Sequence, residues 1–216
     1  NEKDRQLQGM YEKEKARADS ISEMSASVAH EIRNPLGAIT GFVELLEDKV
    51  ANESGRALIE NIIFEIKNLN HIVTDFLSFA KRPSLEIKET DAESFLDSII
   101  NSAIAAKEFK DIKVKKIIAP NLQLHVDLIE MRKAVFNIVI NALQSMTAGG
   151  TLTISAEKKD SNIGLLISDT GKGIPKEIEG RIFDPFFTTK ERGTGLGLAI
   201  AYKIIEAHKG TITFSS

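Results

Sequence analysis

The sequence predicts an α+β protein in two parts: an antiparallel helical hairpin forming a dimeric four-helix bundle, then an α/β sandwich. Two observations carry this. Two long stretches space their apolar residues by threes and fours, as amphipathic helices do. After Lys81-Arg82-Pro83-Ser84 the pattern changes to strands mixed with helices.

Residues 1–20 mix both signs of charge, as in Glu12-Lys13-Glu14-Lys15, and read as a solvated helical extension from a missing upstream region. From Ile21 an apolar stripe runs through Met24, Val28, Ile32, Leu36, Ile39, Val43 and Leu46. After a turn at Asp48–Gly55 a second follows: Leu58, Ile62, Ile66, Leu69, Val73, Phe76 and Ala80. A short turn makes the two helices an antiparallel hairpin. One hairpin cannot cover both stripes, so a homodimer is expected. The expected division is 1–82 for the hairpin, 83–90 for a linker and 91–216 for a second domain.

In that second domain Thr90 with Glu93 reads as a capping box opening a helix to about Lys107. Strands follow at Ile112–Ile118 and Leu122–Val126, then a helix from Asp127 and Glu130 to Met146. Thr151–Ala156 and Ile163–Ser168 read as paired strands. A helix from about Gly195 to His208 and a strand at Thr211–Phe214 close the chain, and the order suggests antiparallel strands with helices on one face.

Composition narrows the function. Hydrophobic content of 42% and charged content of 27% are ordinary for a globular protein, and a net charge of −3 gives no reason to expect nucleic-acid binding. With no cysteine there are no disulfides or thiolate metal sites, which fits a reducing, cytoplasmic compartment. No apolar run spans a bilayer, so no membrane contact is expected of this fragment. The start at Asn1 suggests a piece of a longer protein, anchored to a membrane through its N-terminal region.

The most unusual stretch is Ser27-Val28-Ala29-His30-Glu31-Ile32-Arg33-Asn34-Pro35-Leu36. At about 100° per residue, His30 points roughly 170° from the middle of the apolar stripe, out into water, and Asn34 shares its face. Pro35 has no N–H for the carbonyl of Glu31, so a bend beside His30 is expected. Gly37 and Gly41 lie within roughly 20° of His30 in projection. Glycine costs a helix about 1 kcal/mol against alanine. Two on one outer face either relax the proline kink or smooth a docking strip, and the strip is the reading adopted.

Three clusters stand in the second domain. Asn137 and Asn141 share a helix face; their amide oxygens suit Mg²⁺ or phosphate-bound water, or are simply solvated. Asp169-Thr170-Gly171-Lys172-Gly173-Ile174-Pro175 offers an acceptor for an exocyclic amine and two glycines for close approach to a flat base. It equally reads as a turn before a helix. Gly193-Thr194-Gly195-Leu196-Gly197-Leu198 runs into a helix, where free N–H groups favour a phosphate chain.

Together, in this order, these resemble the N, G1 and G2 boxes of the Bergerat (GHKL-type) ATPase fold shared by sensor histidine kinases, gyrase, Hsp90 and MutL. Ile182-Phe183-Asp184-Pro185-Phe186-Phe187-Thr188-Thr189-Lys190 resembles the F box of the kinase branch, and Ser27–Leu36 the H box. The resemblance covers about Ile21 to Ser216 and is to transmitters of two-component sensor kinases, of the bacterial sporulation and nitrogen-regulation type.

The resemblance implies an ATP-dependent protein-histidine autokinase. His30 would attack the γ-phosphate through Nε2, Glu31 act as general base, and Asn34 orient a water for dephosphorylating the partner. Asn141 would hold Mg²⁺, Asn137 lie near the phosphates, and Asp169 read the adenine amine. Gly171 and Gly173 would line the base, Lys190 reach a phosphate, and Gly193, Gly195 and Gly197 close the phosphate side. Phe186 and Phe187 are expected to pack as anchors of a short lid. Many relatives carry a basic or aromatic residue after the N box, where Gln144 and Ser145 stand here. His71, His125 and His208 match no box and read as surface or packing residues. A response regulator is the expected partner, docking near His30, Gly37 and Gly41, and an inhibitor protein is a further one on the same bundle. Relatives continue past Thr211–Phe214 with another strand, so a truncated or disordered C-terminal strand is expected. The alternative from another class is an ATP-driven conformational clamp without phosphotransfer.

Overall fold

The structure, a computed structural model, describes residues 32–46, 53–81, 84–105, 111–160, 162–190 and 193–216. His30, Glu31, the 1–20 extension, Pro83, residues 48–52 of the turn expected at Asp48–Gly55 and the expected helix end at Lys107 lie outside the described residues, and 53–55 of that turn are already helical. So does the Glu31 carbonyl at which the bend was expected. The chain divides into two compact units, Asn1–Arg82 and Pro83–Ser216.

The first unit holds helix α1 (residues 32–46) and helix α2 (Glu53–Ala80). Residues seven apart return to one helix face. Leu36 and Val43 of α1 accordingly cluster with Ile59 and Ile66 of α2, and Ile63 packs against them. The guanidinium of Arg33 donates to Thr74 Oγ1 at 3.1 Å, so the start of α1 meets the far half of α2, as an antiparallel hairpin requires. Beside the buried seam runs a second apolar row that stays in the open: Ile39, Phe42 and Leu46 on α1, Leu58, Ile62 and Leu69 on α2.

In the second unit strand β1 (Ile87–Asp91) pairs antiparallel with β3 (Gln123–Asp127). Strands β2 (Ile112–Ile118), β4 (Gly150–Lys159) and β5 (Asn162–Asp169) form a second sheet in the order β2-β4-β5. The β4–β5 pair is antiparallel, as expected, but β2 and β4 run parallel. The cause is the connection: helix α4 (Leu128–Ser145) lies between them in sequence, and a crossover containing a helix brings the chain back in the same direction. Helices α3 (Ala92–Ile104), α4 and α5 (Gly197–Ala207) supply the rest of the core. Leu96, Ile99, Val135, Val139, Leu143, Leu152 and Ile154 are fully buried there.

Two expectations need correction. The cap of α3 is Asp91, not Thr90: β1 stays paired through Asp91, opposite Gln123, so the first helical residue is Ala92, and Asp91 accepts from the Ser94 N–H at 2.8 Å. Thr211–Phe214 is not a strand. It pairs with no strand of either sheet; instead Phe214 packs edge-on against Phe183 and Ser216 Oγ accepts from the Ile174 N–H.

Asp127, the buried carboxylate that caps α4, ties several elements together. Its Oδ1 accepts from the N–H groups of Ile129 and Glu130, and its Oδ2 from the N–H of Glu86 at 2.7 Å. Its own N–H donates to Nε2 of His208, whose Nδ1 donates to the Ile204 carbonyl. His208 is thus the packing residue expected, while His71 and His125 are exposed beside Asp75 and Glu89. The Glu130 and Glu86 hydrogen bonds hold the Asp127 carboxyl below its ordinary pKa. Its contribution is therefore intact above the unfolded-state value, about 3.9, and is lost as pH falls through the lower folded value. Asp127→Asn turns an amide N–H₂ toward one of these donors and removes the charge. Urea unfolding at neutral pH is expected to show a loss of about 2 kcal/mol. The gap between variant and wild type narrows below about pH 4.

Candidate functional site

The site assembles around the C-terminal half of α4. Val135, Val139 and Leu143 face the core, and that phase places Asn137 and Asn141 half-buried at its edge. Three segments converge on this edge from elsewhere in the chain.

The first is the turn after β5. Asp169 Oδ1 accepts from Ser145 Oγ at 2.8 Å and from the Gly171 N–H at 2.9 Å. The Ser145 hydroxyl also lies 2.7 Å from the Ala142 carbonyl, so one hydrogen serves two acceptors. Both Asp169 bonds go to Oδ1 and the side chain is exposed, leaving Oδ2 to accept from an outside amine. A Cβ at Gly171 would stand 1.8 Å from Ser145 Oγ, so only glycine lets the turn close on α4. Gly173 adopts φ +69°. The Lys172 N–H reaches the Ser145 carbonyl.

The second is the segment ending at Lys190. Its ammonium donates to Asn141 Oδ1 and to Gln144 Oε1, each at 2.5 Å. Burial pushes the Lys190 pKa down, and the Lys172 charge pushes the same way. Lys190, expected on a phosphate, is here seated on the N-box helix. Phe187 packs under the Arg181 guanidinium, 4.4 Å from its ring centroid. Phe186 does not pack: it is exposed at φ +65°, and that turn of the backbone throws its ring outward.

The third is the glycine loop before α5. Cβ atoms at Gly193 and Gly195 would collide with Thr188 Oγ1 and with the Phe186 backbone, so this loop lies directly on the Lys190 segment. Gly197 opens α5, and a Cβ there would be an ordinary 3.5 Å from Asn137 Cγ. Packing within the protein does not demand glycine at that position.

Asn137, Asn141, Asp169, Gly171, Lys190 and Gly197, drawn from sequence stretches up to 60 residues apart, are thereby joined around one helix edge. Gln144 and Ser145 belong to the same edge, and sequence reasoning gave them no part. Their signals were their place directly after the N box and their spacing, three and four residues beyond Asn141 on one helical face. Among the described residues no group of three or more His, Asp or Glu is placed to hold a metal ion. A divalent cation here would be met by amide oxygens and by the ligand's own phosphates, which is how Mg²⁺ is commonly held. An amine acceptor, bare backbone beside a helix N-terminus and a pair of amide oxygens fit a purine nucleotide with its cation. Asn34 is exposed on α1 in the first unit, as are Gly37 and the edge of Gly41. No described helix is long and apolar enough to cross a membrane.

Comparison with known proteins agrees with both units. Residues 20–85 match the His Kinase A (phospho-acceptor) domain, and residues 126–216 the histidine kinase-, DNA gyrase B- and HSP90-like ATPase family. The chain is 32% identical over 199 residues to sporulation kinase B of Bacillus subtilis (strain 168), covering 91% of this chain and 46% of that protein. The catalytic domain of histidine kinase ThkA is 30% identical with a TM-score of 0.51, covering 56% of this chain and 80% of that one. ThkA in complex with the response regulator protein TrrA is 30% identical with a TM-score of 0.64, covering 93% and 60%. The chain spans less than half the length of the curated relatives it matches.

Proposed function

This chain belongs to the histidine kinase family, and from that premise we propose that it is the transmitter of a two-component sensor kinase. The observation that carries the proposal is the convergence of Asn137, Asn141, Asp169, Lys190 and the glycine loop on one edge of α4. ATP binds there, with Asp169 accepting from its adenine amine and its phosphates toward Asn137 and the N-terminus of α5; Asn141 would hold Mg²⁺. Bound Mg²⁺ supplies charge neutralisation for the phosphates.

His30 Nε2 attacks the γ-phosphorus, the bond to the bridging oxygen of ADP breaks, and Glu31 takes the Nδ1 proton. A neutral imidazole near its ordinary pKa is a competent nucleophile at neutral pH. A carboxylate of a response regulator then attacks the same phosphorus and the P–N bond breaks. Asn34 positions water when the regulator is dephosphorylated. The relationship to sporulation kinases favours a phosphorelay as the setting, and the need for ATP favours the cytoplasm.

The unit that carries His30 acts as a homodimer. The open row of Phe42 (67% exposed), Leu58 (62%) and their neighbours is too apolar and too long to face water. A second hairpin covers it as a four-helix bundle. The chain is tested with γ-labelled ATP and Mg²⁺: acid-labile, base-stable protein label is expected. ATP hydrolysis with no protein label would identify a conformational clamp instead.

The regulator docks along the strip at Gly37 and Gly41. Added Cβ atoms at both positions meet nothing within 4 Å, so the hairpin's own packing does not require glycine there, and each costs the helix about 1 kcal/mol. In Gly37→Leu or Gly41→Leu, transfer to the regulator is expected to slow about tenfold or more, by a steric loss of the order of a disrupted interface contact. Autophosphorylation persists. Equal loss of both reactions would remove the docking assignment.

A further inference from the structure

The Lys190 ammonium bridges Asn141 and Gln144, the one at the position assigned to Mg²⁺ and the other with no assigned part. Both oxygens belong to the last turns of α4, where unpaired carbonyls leave partial negative charge and favour a cation. Among the described residues the ammonium's two contacts are both neutral amides, and it is half-buried. A cation seated on neutral amides is exchanged more readily than one paired with a carboxylate, because charge-assisted hydrogen bonds are the stronger ones.

We propose that Lys190 is the resident cation of this site, and that Mg·nucleotide binding exchanges it for the metal ion, with Gln144 setting the threshold. Asn141 serves both states: it accepts from Lys190 before exchange and faces the metal ion after it. The ammonium and a divalent ion cannot share one amide oxygen, since two positive charges would then stand within about 4 Å of each other in a partly desolvated site. Gln144 serves only the first state. Its contact therefore holds the Phe186–Lys190 segment on α4 and opposes the metal–nucleotide complex. The released ammonium becomes free to meet a phosphate. This rests on the nucleotide reading of the site given above.

The consequence is opposite in sign to that of a ligand-binding residue. Gln144→Met keeps the length and helix preference of the side chain but removes the acceptor. Titration calorimetry with Mg²⁺ and a non-hydrolysable ATP analogue is expected to show binding about three- to tenfold tighter than wild type. Amide exchange of the Phe187–Lys190 backbone in the nucleotide-free chain becomes faster. In a Lys190→Met background, adding Gln144→Met changes neither quantity, because the contact is already gone. Weaker or unchanged binding in Gln144→Met, or unchanged exchange, overturns the proposal. If the wild-type chain binds no nucleotide at all, the functional reading fails on its own. The exchange measurement then decides this proposal: faster exchange in both single variants supports the bridge, and wild-type exchange overturns it.

Discussion

In a His30→Gln chain, protein labelling from γ-labelled ATP falls to background while affinity for Mg·nucleotide stays within about twofold of wild type, as expected for separate sites. The two halves of this expectation come from different units. Glutamine keeps a polar side chain of similar size on a helix but has no lone pair that attacks phosphorus at neutral pH. The residues proposed to contact the nucleotide, by contrast, all lie between Asn137 and Gly197, within the unit Pro83–Ser216. The proposal of His30 as the acceptor rests on the sequence spacing, which sets it about 170° from the apolar stripe, and on its lying within the stretch 20–85 that matches the phospho-acceptor family. Glu31→Gln is the companion variant: loss of a positioned base lowers the labelling rate by about 10²–10⁴ without abolishing it. Label that persists in His30→Gln would mean that another residue accepts the phosphate. His71, His125 and His208 would be the next to substitute. A collapse of nucleotide affinity in the same variant would instead show that residue 30 is needed for binding.

How far the fold could be read from the residues depended on the range of the interaction. The start of α4 was legible because its signal is local: Asp127 and Glu130 stand three apart, and the Asp127 carboxylate takes the N–H groups within that same turn. The start of α3 was misread by one residue for a related reason. Thr90 and Asp91 are both residue types that cap helices, and the choice was made by β3, which keeps β1 paired through Asp91 and so leaves Ala92 as the first residue free to turn helical. The strands β2, β4 and β5 were visible, and so was the antiparallel pairing of β4 with β5, but the parallel run of β2 beside β4 was not, because direction belongs to the connection and not to the strand. In the site, the glycines and asparagines were found by type and spacing. The bonds that join them, Ser145 to Asp169 and Lys190 to Asn141, span 24 and 49 residues and leave no periodic trace. Phe186 shows the same limit: an aromatic side chain reads as an anchor until the backbone φ turns it outward.

Two glycines of one loop are expected to lose nucleotide affinity on the same substitution, but to differ in thermal stability. Gly195 has φ +68°, and a Cβ there would lie 2.4 Å from the carbonyl carbon of Phe186 and 2.7 Å from the nitrogen of Phe187. Those neighbours are backbone and cannot rotate aside. Gly195→Ala therefore adds a left-handed penalty of about 1–2 kcal/mol to a displacement of the loop from the Phe186–Lys190 segment. Both the melting temperature and nucleotide affinity fall, the latter by about tenfold or more if even the left-handed penalty alone is felt in the bound geometry. Gly197 is different, because its Cβ would meet Asn137 at an ordinary 3.5 Å and it begins a helix. Alanine is the better helix former by about 1 kcal/mol, so Gly197→Ala leaves the melting temperature unchanged or raises it. The new methyl nevertheless stands on the surface between Asn137 and the N-terminus of α5, where the phosphates are proposed to meet bare backbone. Thermal unfolding and calorimetry on the two variants separate the roles. Loss of both quantities in Gly195→Ala, with loss of affinity alone in Gly197→Ala, identifies Gly195 as a glycine demanded by the fold and Gly197 as one demanded by the ligand. Wild-type affinity in Gly197→Ala would place the phosphates elsewhere on the edge of α4.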